Sequence, residues 1–459
     1  MKLRYSFSDP LECGQIHEYS LDILKNTGII IYSPRARDLF ASKGAKVDGH
    51  KAFIPEKMVE EALDTVPSSF YLKTSERKVT IGEGDLCKLP IYGAVYVSRN
   101  HQVSLGKRKN FIEISKLNHS NDLLDMSCPY ILEPSDIPID YRERYRMLMT
   151  LKYSDKPTYS ITQNFRTAKW SIDLTKKFYD DDENYLLIGN VNLSSPIMMG
   201  QGTGDVIIAH GLENQPIMIA CGSGLSGLTA PPMPASNYLL NNAAVLSGIV
   251  LSQIVQPGLP VIYGFPLFAT NPYTAGIAMG EANTALFTMM AAEMGRFYDI
   301  PSRAGGNFTD STILDYQSGF ESFMNLFSSL FSGVDCLMHT LGTDNGMNSF
   351  NYNKYIMDEY LFQLVERYIN GLDINDVTMM PEEIHKTGSG GNYINIRNLK
   401  LIRKQYKPYP FFAKDQDLQS VFKQTDKIIE ERLRNYVGPT LTKEQNRIIE
   451  ESLPEVYID

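Results

Sequence analysis

Apolar residues recur at helical spacing from the start of the chain. Ile16, Leu21, Ile23 and Leu24 predict a helix that Thr27-Gly28 stops. Ser33-Pro34 is a helix-opening pair, with the helix running through Leu39 toward Gly44. Lys51–Ile54 reads as a short strand, and Pro55 precedes a third helix bearing Met58, Val59, Ala62 and Leu63. Residues 1–88 therefore read as a mainly helical cap.

From Leu89 the rhythm changes. Short apolar or β-branched runs recur at Pro90–Val97, Leu123–Tyr130, Pro157–Thr162, Tyr185–Val191, Pro216–Cys221, Pro260–Phe265, Pro301–Gly305 and Asp335–Thr340. Helical periodicity fills most of the gaps, as in Tyr238–Gln256, Ala282–Tyr298 and Tyr316–Phe331. Eight strands at intervals of roughly 30–45 residues predict an α/β fold, a TIM (β/α)8 barrel over residues 89–372. A doubly wound sheet is the competing α/β arrangement. After Gly371 the chain turns polar, with Lys386–Asn392 at the centre of a loop-rich stretch. It ends in charged helical pieces, Gln416–Tyr436 and Thr442–Leu453. Residues 373–459 read as a C-terminal extension packed on the barrel or on a partner subunit.

Composition narrows the function classes. The 459 residues are 43% hydrophobic and 21% charged, enough to bury a large core. A net charge of −9 repels phosphate backbones, so nucleic acid is not the expected partner. Five dispersed cysteines with no CxxC pair form neither a disulfide framework nor a zinc ribbon. The first residues lack an apolar leader, and Ala243–Gly264, the nearest approach to a membrane span, is broken by Ser, Gln and Pro. A cytoplasmic protein with no membrane association is expected. Residues 214–280 contain no Asp, Glu, Lys, Arg or His. Such a stretch is core or subunit interface, and a homo-oligomer is expected.

Two glycine motifs lead nowhere. Gly222-Ser-Gly224-Leu-Ser-Gly227 has the dinucleotide spacing, but Pro231, Pro232 and Pro234 prevent an immediate helix, and no acid follows before Glu281. Gly200-Gln-Gly202-Thr-Gly204 lacks the acid that adenosylmethionine sites place ahead of such a turn. No nucleotide is expected. Cys128, Cys221, Cys336 and His339 are the thin set of metal-ligand candidates. Cys336 and His339 sit three apart on one strand and would face opposite sides. No tightly bound metal is expected.

The more informative segments are Arg303-Ala-Gly-Gly-Asn307-Phe-Thr-Asp310 running on to Gln317, and Cys336-Leu-Met-His339 running on through Gly342, Asp344, Asn345 and Gly346. Both lie at the C-terminal end of a predicted strand, where barrel enzymes place their sites. Helix and loop capping by Asn and Asp accounts for the same residues equally well.

Several blocks are similar to the trimethylamine methyltransferase superfamily of corrinoid-dependent enzymes along nearly the whole chain. They are HEYSLDILKNTGI (His17–Ile29), Gly44–Leu63, VPSSFYL (Val66–Leu72), GLTAPPMPA, NAAVLSGIVLSQIVQPGLPVIYG and RAGGNFTDSTILDYQSGFES, with His339 and Gly342 downstream. The resemblance implies a TIM barrel and transfer of a methyl group from an amine to the Co(I) form of a corrinoid, or cobalamin, held on a separate small protein. The trimethylamine enzymes carry pyrrolysine in the region aligned with Gly342–Asn348. This chain reads Gly-Thr-Asp-Asn-Gly-Met-Asn there, so no pyrrolysine is present. It looks like a non-pyrrolysine member, some of which demethylate quaternary amines such as glycine betaine.

Leaving-group chemistry agrees. A neutral tertiary amine would have to expel an amide anion, whereas a quaternary ammonium leaves as a neutral amine and needs no proton donor. The protein has only to align the N–CH3 bond and exclude water. A quaternary cation favours aromatic faces, and Tyr92, Tyr96, Tyr263, Phe265, Phe350 and Tyr352 are candidates, although most aromatics are core. A substrate carboxylate would be met by Asn190, Arg303, Asn307, Gln317 or His339. The expected substrate is betaine-like. Another methylated amine, or betaine binding without turnover, are the alternatives.

Overall fold

The computed structural model describes residues 10–264, 267–405 and 417–457. The architecture is mixed α/β. Seven parallel strands carry it: Cys87–Lys88, Thr158–Tyr159, Leu187–Leu193, Ile217–Cys221, Val261–Tyr263, Arg303–Gly305 and Cys336–Met338. Successive strands pair from Thr158 onward, Leu187 with Thr158, Gly189 with Ile217, Ile217 with Val261, and Arg303 with Cys336. A parallel bridge from Tyr263 to Ser302 joins the two halves, and Cys336 pairs back to Cys87.

Of the eight predicted strands, six appear within the expected spans or within two residues of them. The first is displaced. Pro90 cannot donate to a ladder, and Pro90–Val97 yields instead Cys87–Lys88 before it and Tyr96–Arg99 overlapping its end, the latter in a separate four-stranded sheet. Leu123–Tyr130 forms no regular strand. Its backbone nevertheless reaches both neighbours, because the Asp125 amide donates to Lys88 O at 2.8 Å and the Ser127 amide to Pro157 O at 2.8 Å.

Side chains alternate along the strands as a β backbone requires. Tyr159, Ile188, Met218, Ile262, Cys336 and Met338 fall in one buried cluster. Their neighbours Ile217, Ile219, Val261 and Tyr263 fall in a second, with the helix Pro234–Val255. That helix is apolar all round and long enough to cross a bilayer, yet it is mostly buried. The reason is the N-terminal region. Leu21, Leu24, Ala36, Phe40, Val59 and Ala62 pack into the same cluster, so that helix is covered by the chain itself, while Leu228, Met233 and Tyr273 of the charge-free stretch stay exposed, against the expectation of burial throughout.

Helices Pro10–Asp22, Pro34–Ser42 and Glu56–Leu63 supply that cover, with Ser33 accepting from the Ala36 amide at 3.2 Å as the second helix's cap. The region is less helical than expected. Ile29–Ile31, Lys46–Asp48 and Lys51–Phe53 join Met198–Met199 in a mixed sheet, and Phe70–Lys73 pairs with Lys78–Ile81. Near the other end, helices Leu418–Arg434 and Lys443–Ser452 place Val421, Ile429, Ile448 and Ile449 in the first cluster.

Candidate functional site

At the C-terminal ends of the parallel strands the buried polar groups stop being satisfied. Arg303 is 4% exposed. Its guanidinium reaches Met338 Sδ at 2.9 Å and Asn192 Oδ1 at 3.4 Å, while Nε has no partner. It makes no ion pair among the described residues. Burial lowers its pKa to about 10, which leaves it charged at neutral pH. Tyr92, Tyr159 and Cys336 lie close enough to act on it, but burial pushes all three up, so none offers an anion.

Around Arg303 stand Tyr92, Tyr159 and His339, with Tyr130 packed on Tyr92. Tyr92 packs on Tyr130 with centroids 4.8 Å apart, and edge-on to Tyr159 at 5.7 Å. Tyr92 and Tyr130 are only half-buried, and Asn192 is exposed, so this end is open to solvent. The Thr162 amide donates to Tyr130 Oη at 2.9 Å, and the Arg146 guanidinium lies 4.7 Å from the Tyr130 ring centroid. His339 follows the last strand residue at φ +55. The strand ends at Met338, so the alternation that would have turned His339 away from the Cys336 side no longer applies. Burial, with Arg303 nearby, lowers His339 to about 3. It is a neutral imidazole whose Nδ1 lacks a partner.

Phe308 lies 5.1 Å from the His339 ring and 5.4 Å from Phe268. A Cβ on Gly305 would fall 1.6 Å from the Phe308 ring, so glycine there is what allows the ring to lie across the strand end. Asn307 is wholly buried. Its amide donates to His339 O at 3.1 Å and its side chain donates to Thr340 O, which ties the two strand-end loops together while Oδ1 stays unpartnered. Asn190 is also buried with an unpartnered Oδ1.

The remaining sequence candidates divide cleanly. Asp310 accepts from the Met279 and Gly280 amides at 3.0 and 2.9 Å. Gln317 donates to Glu321 at 2.9 Å, and Glu321 also accepts from Thr309 and the Asp310 amide. Both residues thus brace loops. Asn345 sits at φ +50 with its amide on Ser311 O. Asp344 is buried, accepts from Asn351 at 2.8 Å and is shifted upward by burial; its other oxygen is unpartnered. Phe350 packs between Tyr352 and Tyr355 in the core, and Tyr352 donates to Glu113 at 2.9 Å. Tyr96 lies on the separate sheet, paired with Ser349. Tyr263 is turned to the helix side, where its hydroxyl donates to Asn242 at 2.6 Å. The structure therefore does not bring Tyr263, Phe350, Tyr352 or Tyr96 to Arg303, because strand alternation and separate sheet pairing commit them elsewhere. Phe265 lies outside the described residues.

Tyr130, Tyr159, Asn192 and Phe308 were not singled out from the sequence. Tyr130 and Tyr159 end or occupy predicted strands, and Phe308 lies inside the RAGGNFTD block, so position was the available signal. Among the described residues no group of three or more His, Cys, Asp or Glu is placed to hold a metal ion.

Parallel strands joined through helices define an α/β protein, and the unsatisfied polar groups at the strand ends are its candidate small-molecule site. Residues 4–409 match the trimethylamine methyltransferase (MTTB) family, and the chain belongs to it. It is similar to a proline betaine:corrinoid methyltransferase of Eubacterium limosum, with 32% identity covering 96% of this chain and 95% of that one. It is also similar to a glycine betaine methyltransferase of Desulfitobacterium hafniense (strain Y51), at 28% identity over 96% and 95%. An L-carnitine:corrinoid methyltransferase of E. limosum is 29% identical over 96% of each chain.

Proposed function

We propose that the protein is a corrinoid-dependent methyltransferase that takes a methyl group from a betaine, a quaternary amine that also bears a carboxylate. The observation that carries this reading is the unpaired charge of Arg303. An isolated buried cation is unfavourable unless an anion meets it, and a substrate carboxylate would be that anion. Trimethylamine has none. The named activities of the relatives point the same way.

In this reading the carboxylate sits on Arg303, with Asn192 and Asn190 beside it. The ammonium lies against the faces of Tyr92, Tyr130 and Tyr159, each contributing about 0.5–2 kcal/mol of cation–π attraction. His339, held neutral, adds a dipole without repelling the cation and is not asked to move a proton. Asn307 and Phe308 fix the loop that carries it. The corrinoid, brought by a partner protein, supplies the methyl acceptor. The open edge at Asn192 is where such a group could approach, and the residues of this chain bind, orient and dehydrate the substrate.

The seven strands and the 123–130 segment, hydrogen-bonded to its neighbours at Lys88 and Pro157, belong in this reading to one closed (β/α)8 barrel. Residues before Cys87 form its cap and residues after Gly371 its extension.

The test supplies glycine betaine and trimethylamine separately, with Co(I) corrinoid on its carrier, and follows the methyl-Co(III) spectrum. Methylation from a betaine alone is expected. Turnover of trimethylamine without any betaine overturns the reading, and tight betaine binding with no methylation by any betaine identifies a binding protein instead.

A further inference from the structure

Of the three tyrosines at the open end of the strands, one has a hydroxyl with nothing to bond. Tyr159 sits in the two-residue strand Thr158–Tyr159 and pairs with Ile188. It is 1% exposed, and its Oη is buried without a hydrogen-bond partner. The Tyr130 hydroxyl takes the Thr162 amide, and Tyr92 meets the Tyr159 ring edge-on at 5.7 Å. A phenylalanine would fill the same space and strand no polar atom. A buried hydroxyl that nothing satisfies is a cost to the fold, and it calls for a partner that the chain itself does not supply.

Strand geometry narrows what that partner is. Alternation puts Asn190 and Asn192 on the same face of Leu187–Leu193 as Ile188, beside which Tyr159 stands. Arg303 reaches across to the end of that row, with Nη2 3.4 Å from Asn192 Oδ1. Tyr159 acts on the Arg303 charge more strongly than Tyr92 or Cys336 does. Yet the guanidinium does not donate to the phenol, and Asn190 Oδ1, itself unpartnered, does not take the phenol's hydrogen. Burial keeps the phenol protonated. A guanidinium can only donate, and this phenol has a hydrogen to give. The group that satisfies both at once is an anion with two oxygens.

We propose that the Tyr159 hydroxyl donates to the substrate carboxylate that Arg303 holds, and that this second donor sets the preference for quaternary amines bearing a carboxylate. Resting on the betaine reading above, this gives the hydroxyl a task separate from that of the ring face. An ionised carboxylate has lone pairs enough for a guanidinium and a hydroxyl together. A quaternary amine with an apolar tail would seal Arg303 and Tyr159 away from water with neither of them paired. A site built around polar groups rejects such a ligand far more strongly than an apolar wall does.

Tyr159→Phe keeps the ring and removes only the hydroxyl. In calorimetry on the full chain, glycine betaine should bind the variant about 10-fold more weakly, the scale of one hydrogen bond to a charged group. Tetramethylammonium, which has no carboxylate, should bind both chains alike. Chemical denaturation of the free variant should give a midpoint equal to or above that of the unaltered chain, because the hydroxyl has no bond to lose. Unchanged glycine betaine affinity in Tyr159→Phe, an equal loss for tetramethylammonium, or a lowered midpoint overturns the inference. Failure of the unaltered chain to bind glycine betaine overturns the betaine reading itself, and this inference with it. None of these measurements depends on methyl transfer.

Discussion

Among the described residues Arg146, Lys156, Arg303 and Lys354 are buried cations, and the last two are treated in opposite ways. Lys354 lies at the start of the helix Tyr352–Asn370 and is held by Asp358 one turn on, at 2.8 and 2.9 Å, with Asn307 O at 3.3 Å. Asp358 accepts in addition from the Gly342 amide at 2.8 Å. Arg303 has only a thioether, an amide oxygen and neutral phenols around it. The first charge is compensated within the fold and braces the two loops that carry Asn307 and Gly342. The second is left for something the chain does not contain. Lys156 is buried without an ion pair as well, but its ammonium donates to Asn118 O and Asn121 O at 2.7 and 2.8 Å; Arg303, with neither a counter-charge nor a full set of acceptors, is the one that points to a ligand.

Removing each cation should separate the two. Lys354→Met leaves Asp358 buried and unpaired, and should cost about 3–5 kcal/mol of stability in chemical denaturation. Lys354→Met combined with Asp358→Leu should recover most of it. Arg303→Met should do the reverse. It should leave unfolding unchanged or stabilise the free protein, while weakening glycine betaine in calorimetry by about 10–100-fold, the value of a charged hydrogen bond of about 1.5–3 kcal/mol. Equal destabilisation by both single variants would erase the distinction.

The aromatic candidates sharpen the comparison at a smaller scale. Tyr92→Leu should weaken betaine binding by about 3–30-fold, the range of one cation–π contact of about 0.5–2 kcal/mol. Tyr263→Leu should leave that affinity alone, and its effect should be seen in stability, because its hydroxyl serves Asn242. The opposite ranking would move the ammonium site to the helix side of the strands.

The smallest expected effect is on pH. His339 and His210 are lowered by burial to about 3 and about 4. Between those values and the ordinary 6.5 the unfolded chain binds more protons, so their contribution is intact above 6.5 and lost as pH falls. Asp358 runs the other way. Burial raises it to about 6 despite Lys354, so its contribution is present below the ordinary 3.8 and is lost as pH rises through 6. Two histidines shifted further outweigh one carboxyl, and the denaturation midpoint should fall between pH 7 and pH 5. The His339 ring should show no NMR titration between pH 5 and 8. A ring titrating near 6.5 would place it in solvent, away from Arg303.

Much of the fold was legible because local chemistry and burial agree. Ser33-Pro34, Gly28 and Pro55 punctuate the N-terminal helices where expected, and the runs after Pro216 and Pro260 are strands, short and apolar as buried parallel strands must be, while the strand after Pro301 carries Arg303. Pro90–Val97 and Leu123–Tyr130 were harder, since one contains a proline that interrupts the ladder and the other pairs through single backbone contacts. The site was half legible. Arg303, Asn307, His339, Asn190 and Tyr92 were on the page as residue types at strand ends, while Tyr130, Tyr159 and Phe308 looked like ordinary core aromatics.

By itself the sequence determined which residues could form strands and helices, that the charge-free helix Pro234–Val255 must be mostly buried, and that no pyrrolysine stands among residues 342–348. Those follow from side-chain polarity, backbone propensity and covalent identity, which are properties of the chain read in order. Only the tertiary structure decided which aromatics surround a charge. Tyr159 and Tyr263 are both strand tyrosines in apolar runs, and neither run says which face its ring will take. Strand register sends one toward Arg303 and the other toward the helices, and a shift of one residue would exchange them. The absence of a counter-charge for Arg303 among the described residues is likewise a relation among side chains distant in sequence, fixed only when the strands come together.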